Sequence, residues 1–250
     1  MIKQPVIFRD LGQIDYKTAW DYQESLLQEN VTKKMQSKIQ YPASGIQHPG
    51  TQHYLLLVEH PPVFTLGKSG NIDNVLLSEE RLKSKGIEFF RTNRGGDITF
   101  HGPQQIVGYP ILDLEKFDTD IGHYLRNLEE VIILTLAEYG IKGDRSKGET
   151  GVWIDAGIKG KERKICAIGV RCSRWITMHG FAFNVNTDLN YFNYIIPCGI
   201  QGKQVTSLQK ELGRETDFEE AKEKVKRNFE KQFQAELIVA DHIGIKIPSE

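Results

Sequence analysis

Four short segments hold residue types that could do chemistry rather than fill a core or cover a surface. The first reads Arg94-Gly95-Gly96-Asp97-Ile98-Thr99-Phe100-His101-Gly102-Pro103. Paired glycines let backbone approach a ligand and leave N–H groups uncovered. Arg94 could orient a carboxylate or phosphate, and His101 could donate to an oxygen. A tight turn between two strands is the competing reading, since glycine pairs are common in turns. The second segment is Arg163-Lys164-Ile165-Cys166-Ala167-Ile168-Gly169-Val170. Strand alternation puts Lys164, Cys166 and Ile168 on one face, with Ile165, Ala167 and Gly169 on the other. Lys164 is either a functional amine or a strand-end residue laying its stem on apolar surface, and the second is the commoner case.

The third segment is Met178-His179-Gly180-Phe181-Ala182-Phe183-Asn184-Val185-Asn186. Gly180 and Ala182 are small enough to wall a narrow apolar slot. His179 reads more readily as a satisfied core imidazole than as a ligand. The last is Ile195-Ile196-Pro197-Cys198-Gly199-Ile200. A cysteine between Pro and Gly has little side-chain cover, which suits an accessible nucleophile. Most free cysteines are structural, so both readings of Cys198 stand at this point.

Other chemistries find no support. There is no G-x-x-x-x-G-K-[ST] phosphate loop and no G-x-G-x-x-G fingerprint. His48, His53 and His60 fall close together, but their spacing matches no common zinc pattern, so neither a metal nor a cofactor is expected. Thirty-two Lys and Arg against thirty-three Asp and Glu give a net charge of −1, which argues against a general nucleic-acid binder. No stretch approaches the roughly 18 apolar residues of a membrane span. The N-terminal residues lack the layout of a signal or transit peptide. Three cysteines without a C-x-x-C pair suit a reducing compartment, and a cytoplasmic location is expected. Lys159, Lys161, Arg163, Lys164, Arg171 and Arg174 make a locally basic set, either a solvated hairpin or a landing patch for an acidic protein.

The elements that must position these segments follow from periodicity. Tyr16, Ala19, Trp20, Leu27, Val31 and Met35 predict an amphipathic helix over 15–35. Residues 40–52 read as an exposed loop. Strands are expected at 54–58, buried on both faces, and at 63–66, 87–92 and 106–114. A helix over 121–139 presents Leu125, Leu128, Ile132 and Leu136 on one face and stops at Gly140. Residues 151–154 and 164–170 form a hairpin through a Gly- and Lys-containing turn, and 181–185 is a further strand. A last helix begins at Thr216, where Thr216-Asp217-Phe218-Glu219 has capping-box form. Strands and helices mix without strict alternation. An α+β fold is expected, one domain over residues 1–250, with a mixed sheet packed against helices.

Taken in order, the segments resemble the lipoyl(octanoyl) transferases, the octanoyl-acyl-carrier-protein:protein N-octanoyltransferases of lipoate synthesis. The resemblance is carried by Val58-Glu59-His60-Pro61-Pro62-Val63-Phe64-Thr65-Leu66-Gly67, by the Arg94–Pro103 and Lys164–Val170 segments, by 175–189 and by Ile196-Pro197-Cys198-Gly199-Ile200. It implies that Cys198 is the acyl-thioester nucleophile and that Lys164 lowers the thiol pKa and shuttles protons. It implies an acyl pocket lined by Arg94, Gly95, Gly96, Asp97, Ile98, Thr99, Phe100 and His101, by Ala167, Ile168 and Gly169, and by Gly180, Phe181 and Ala182. The implied fold is that of the catalytic domain of biotin and lipoate protein ligases. The implied donor is octanoyl-acyl carrier protein. The implied acceptors are lipoyl domains of 2-oxoacid dehydrogenase complexes or the glycine cleavage H protein. Rival readings are an ATP-dependent ligase of the same fold, a thioesterase and a non-catalytic carrier-binding module.

One position departs from the family pattern. Gln104 stands where a glycine follows His-Gly-Pro in the family. If that position needs positive φ, Gln costs about 1 kcal/mol or more there.

Overall fold

The computed structural model describes residues 3–39, 50–196 and 204–239. Among these, the larger sheet has nine strands. Its path runs β12 (Ala235–Val239), β1 (Gln4–Gln13), β2 (Tyr54–Glu59), β6 (Gln105–Ile111), β10 (Ile176–Asn184), β9 (Arg163–Ser173), β8 (Glu149–Ile154) and β7 (Asp144–Ser146). The pairs β12–β1 and β1–β2 are parallel. Every later neighbour on the path is antiparallel. β11 (Gln204–Val205) lies off this path and pairs in parallel with β9. A smaller sheet sets β3 (Val63–Leu66) between parallel β4 (Glu88–Arg91) and antiparallel β5 (Ile98–His101).

Helices cover both faces of the large sheet, as the mixed apolar strands require. On one face, Leu128, Val131 and Ile132 of α3 (Ile121–Ala137) and Val225 and Phe229 of α5 (Phe218–Phe233) join Leu55, Phe181 and Phe183 in one buried cluster. On the other, Leu27 and Val31 of α1 (Tyr16–Ile39) pack with Leu56, Val107 and Met178. The helix over 121–139 was expected on this spacing, and Gly140 ends it with φ of 74°. The expected α+β class with a mixed sheet is the observed one.

Several expectations need correction. β1 carries no clean alternation and was not predicted; it forms because both its edges are paired. The short helix α2 (Glu79–Ser84), capped by Ser78, was also missed. The strand expected at 106–114 ends at Ile111, where Asp113 caps a 3₁₀ turn. The last helix is capped by Asp217, not Thr216: its carboxylate accepts from the N–H groups of Glu219 and Glu220. On α1, Met35 is 42% exposed and Lys34 takes the buried position beside it. The buried face of α1 is thus partly polar, and its polar groups bond the structure around them. Gln23 Oε1 accepts from the His179 N–H at 2.9 Å, and Lys34 Nζ donates to Asp113 at 2.7 Å.

Candidate active site

A cavity of about 650 Å³ opens between β6, β9 and β10 on one side and the 94–101 segment on the other. Such a volume suits a small acyl or drug-sized ligand. Lys164, Ala167, Ile168, Gly169, Gly180, Phe181 and Ala182 line one wall. Arg94 through Thr99 and His101 line the opposite one. Phe100, expected beside them, does not. It stacks on Tyr191 at 4.6 Å within a separate core cluster. Cys198 lies outside the described residues.

The 94–97 turn is held by Arg94, which is 7% exposed. Its Nη2 donates to the Thr65 carbonyl at 2.5 Å and to the Asp97 carbonyl at 2.8 Å; Nη1 donates to Gly95 O at 3.0 Å. A guanidinium offers five donors in a rigid fork, so it can brace several carbonyls at once. Arg94 therefore frames the cavity rather than presenting a spare fork to an anion. The turn also docks on β9, through Gly95 N–H donating to Val170 O at 2.9 Å. A Cβ on Gly169 would sit 2.8 Å from Gly95 O, so the glycine is needed for this approach. A Cβ on Gly180 would lie 2.1 Å from Gly108 O. Gly180 is thus dictated by backbone contact with β6, a stronger constraint than slot width.

Lys164 owes its direction to a β-bulge. Val152 is opposite Cys166, but Trp153 is opposite Lys164, which leaves Ile165 as an extra residue in β9. Both Ile165 and Cys166 then enter the same buried cluster. The bulge overturns strict alternation: Lys164 leaves Cys166 and joins Ala167 and Gly169 at the cavity. Its Nζ rides 4.6 Å over the Trp153 ring, a cation–π contact. Cys166 is fully buried, and burial pushes its thiol pKa up, so it is not a poised nucleophile.

Around the Arg94 wall lies a buried polar group that joins His101 and His179 to residues the sequence did not single out. Tyr16, Tyr109, Gln105 and Asn184 all line the cavity. His101 Nδ1 donates to Gln105 Oε1 at 2.9 Å, and its ring stacks on Tyr16 at 5.9 Å. His60 bonds the Ile14 carbonyl through Nδ1 at 2.8 Å and the Tyr109 hydroxyl through Nε2 at 2.7 Å. His179 contacts Asn93 Oδ1 through Nε2 at 2.7 Å. Burial, with Arg94 adding to it at His101 and His179, keeps these rings neutral: His60 is lowered to about 4 and His179 to about 3. Burial likewise raises the Tyr16 hydroxyl to about 12. Reading His179 as a core imidazole holds for its burial, yet it also faces the cavity and adopts φ of 56°. These partners come from distant strands, so no local spacing could have announced them.

The departure at Gln104 is resolved in the structure. Its φ is 61°, the left-handed region a glycine would favour. Its side-chain Oε1 accepts from Asn186 Nδ2 at 2.8 Å, and its N–H donates to Glu59 at 2.7 Å. The side-chain bond, which glycine could not make, offsets part of the strain.

A mixed sheet clad by helices, with a lysine amine aimed into a cavity walled by Gly and Ala, defines the class. It is the lipoyl protein ligase A/B catalytic domain, whose family model matches residues 15–230. The same fold appears in the bipartite lipoate protein ligase of Thermoplasma acidophilum, at a TM-score of 0.69 and 14% identity, covering 96% of this chain and 87% of that one. A lipoate-protein ligase A bound with ATP aligns at 0.69 and 13% identity, over 96% and 89%. Sequence relatives are closer. The octanoyltransferase of Christiangramia forsetii is 58% identical over 94% of this chain and 99% of its own length. That of Cytophaga hutchinsonii is 47% identical over 95% and 96%. The chain belongs to the octanoyltransferases of this family.

Proposed function

We propose that the chain moves an octanoyl group from octanoyl-acyl carrier protein to a lysine of a lipoyl domain, through a thioester on Cys198 assisted by Lys164. Octanoyl transfer in lipoate biosynthesis follows from its family. The observation that carries the dyad is the bulge that aims Lys164 into the cavity. Connectivity supports the nucleophile: six positions after Cys198 the chain reaches Gln204, which pairs with Arg163 next to Lys164. Cys166 is excluded by its burial.

In the first half-reaction the Cys198 thiolate attacks the thioester carbonyl. The carrier sulfur leaves and takes a proton from the Lys164 ammonium. In the second, the acceptor amine attacks the acyl-enzyme, neutral Lys164 removes its extra proton, and Cys198 departs as thiolate. Proton transfer of this kind contributes roughly 10²–10⁴-fold. The Gly95 N–H is committed to Val170, so oxyanion stabilisation falls to other backbone donors. The partners are acyl carrier protein and lipoyl domains, and the setting is the cytoplasm. Among the described residues no helix is long and apolar enough to cross a membrane.

Intact mass after mixing with octanoyl-acyl carrier protein, without ATP, tests the proposal. One octanoyl unit, removable by hydroxylamine and absent from Cys198→Ser, is the expected result. Transfer that requires ATP and free octanoate would instead make the chain a ligase.

A further inference from the structure

Resting on that reading of Lys164, we propose that Thr206 is a positioning residue for acyl transfer, fixing the chain that returns from Cys198 against the Lys164 backbone. β10 pairs with β9 only as far as Cys166. Beyond that point β11 takes the vacated side of β9, with Val205 opposite Lys164. A two-residue parallel pair is weak by itself. What secures it is Thr206, which is fully buried.

Each polar group of Thr206 has a separate anchor. Its N–H donates to the Lys164 carbonyl at 3.0 Å. Its carbonyl accepts from Asn184 Nδ2 at 3.0 Å. Its hydroxyl donates to Glu211 Oε1 at 2.5 Å. Glu211 in turn takes a bidentate pair from Arg163, at 2.6 Å to each oxygen, and Arg163 is the residue before Lys164. That pairing holds the Glu211 carboxyl below its usual range, so it stays an acceptor. Asn184 continues the chain to the other wall: its Oδ1 accepts from Gln105 at 2.8 Å, and Gln105 accepts from His101. None of these anchors needs to touch the reacting atoms. Together they fix the register of Gln204 and Val205 against Arg163 and Lys164. A misplacement of about 1 Å there costs on the order of 100-fold in rate.

The test is steady-state octanoyl transfer by Thr206→Val, which keeps the backbone bonds and the shape but loses the hydroxyl. A fall of about 10- to 100-fold in kcat is expected, with KM for the octanoyl carrier within about threefold. Thr206→Ser, which restores the hydroxyl, should recover most of kcat. A purely structural role would lower the folded fraction of both variants and leave the kcat of the folded enzyme unchanged. Should Thr206→Val not fold, Glu211→Ala, which removes the acceptor of the Thr206 hydroxyl, carries the same split. Wild-type kcat in folded Thr206→Val, or in Glu211→Ala where that stands in, overturns the proposal, as does equal loss in Thr206→Ser. Thioester formation on the wild type, scored separately, reports on Cys198. A normal thioester with unchanged Thr206→Val kinetics removes the clip alone. No thioester on the wild type removes the dyad and leaves the clip to the transfer rates.

Discussion

The two walls of the cavity are built by opposite means. The wall from Arg94 to His101 is a web of side-chain hydrogen bonds, with a buried guanidinium and neutral buried rings holding a turn in place. The wall from Lys164 to Ala182 is backbone pairing, with Gly and Ala facing Gly and Ala across β9 and β10 and a single bulge aiming the lysine. The first wall is therefore sensitive to charge and to unsatisfied polar groups. The second is sensitive to volume and register.

Acid should bear most strongly on the buried rings that brace the Arg94 side of the cavity, His179 among them although it stands on β10. His60, His101 and His179 are held neutral in the fold, with pKa values below the unfolded 6.5. A lowered pKa means the unfolded chain binds more protons between about pH 4 and pH 6.5, so stability is full above 6.5 and falls as pH drops through that window. His60 and His179 each contribute about 2 kcal/mol of destabilisation by pH 5, and His101 adds in the same direction. Thermal melts from pH 7.5 to 5 should show a steep fall, and His60→Gln should flatten it. A flat profile in the wild type would mean the rings are not buried neutral.

Arg94→Gln is the next largest perturbation. It leaves several carbonyls of the turn without their donor, and a loss of about 3 kcal/mol is expected in urea unfolding, together with loss of transfer. Because the brace acts through geometry, Arg94→Lys should not rescue it, since a point ammonium cannot span the same carbonyls. Full rescue by Lys would show that the charge alone matters.

The smallest expected effect is at Gln104. Gln104→Gly relieves about 1 kcal/mol of left-handed strain but removes the bond to Asn186. The two nearly cancel, so the melting temperature should move by no more than about 3 °C. A rise well beyond that would show that the side-chain bond contributes nothing.

Much of the framework was legible beforehand. The helix of α3 and its glycine stop, the buried runs of β2 and β3 and the β8–β9 hairpin follow from periodicity and turn residues, and these local signals survive in the structure. β1 was not legible, because its burial comes from partners more than 40 positions away on one side and more than 200 on the other. Phe100 was misplaced because its ring is claimed by a separate core cluster with Tyr191 and Phe192, residues about 90 positions away.

By itself the sequence determined the family, since ordered motifs are properties of local order along the chain. It did not decide where the motifs' side chains point. A single unpaired residue, Ile165, reversed the direction of Lys164 relative to Cys166. The buried rings became neutral only once strands far apart in sequence enclosed them. Direction and charge state depend on register and dielectric surroundings, and both arise only when the sheet closes around the cavity.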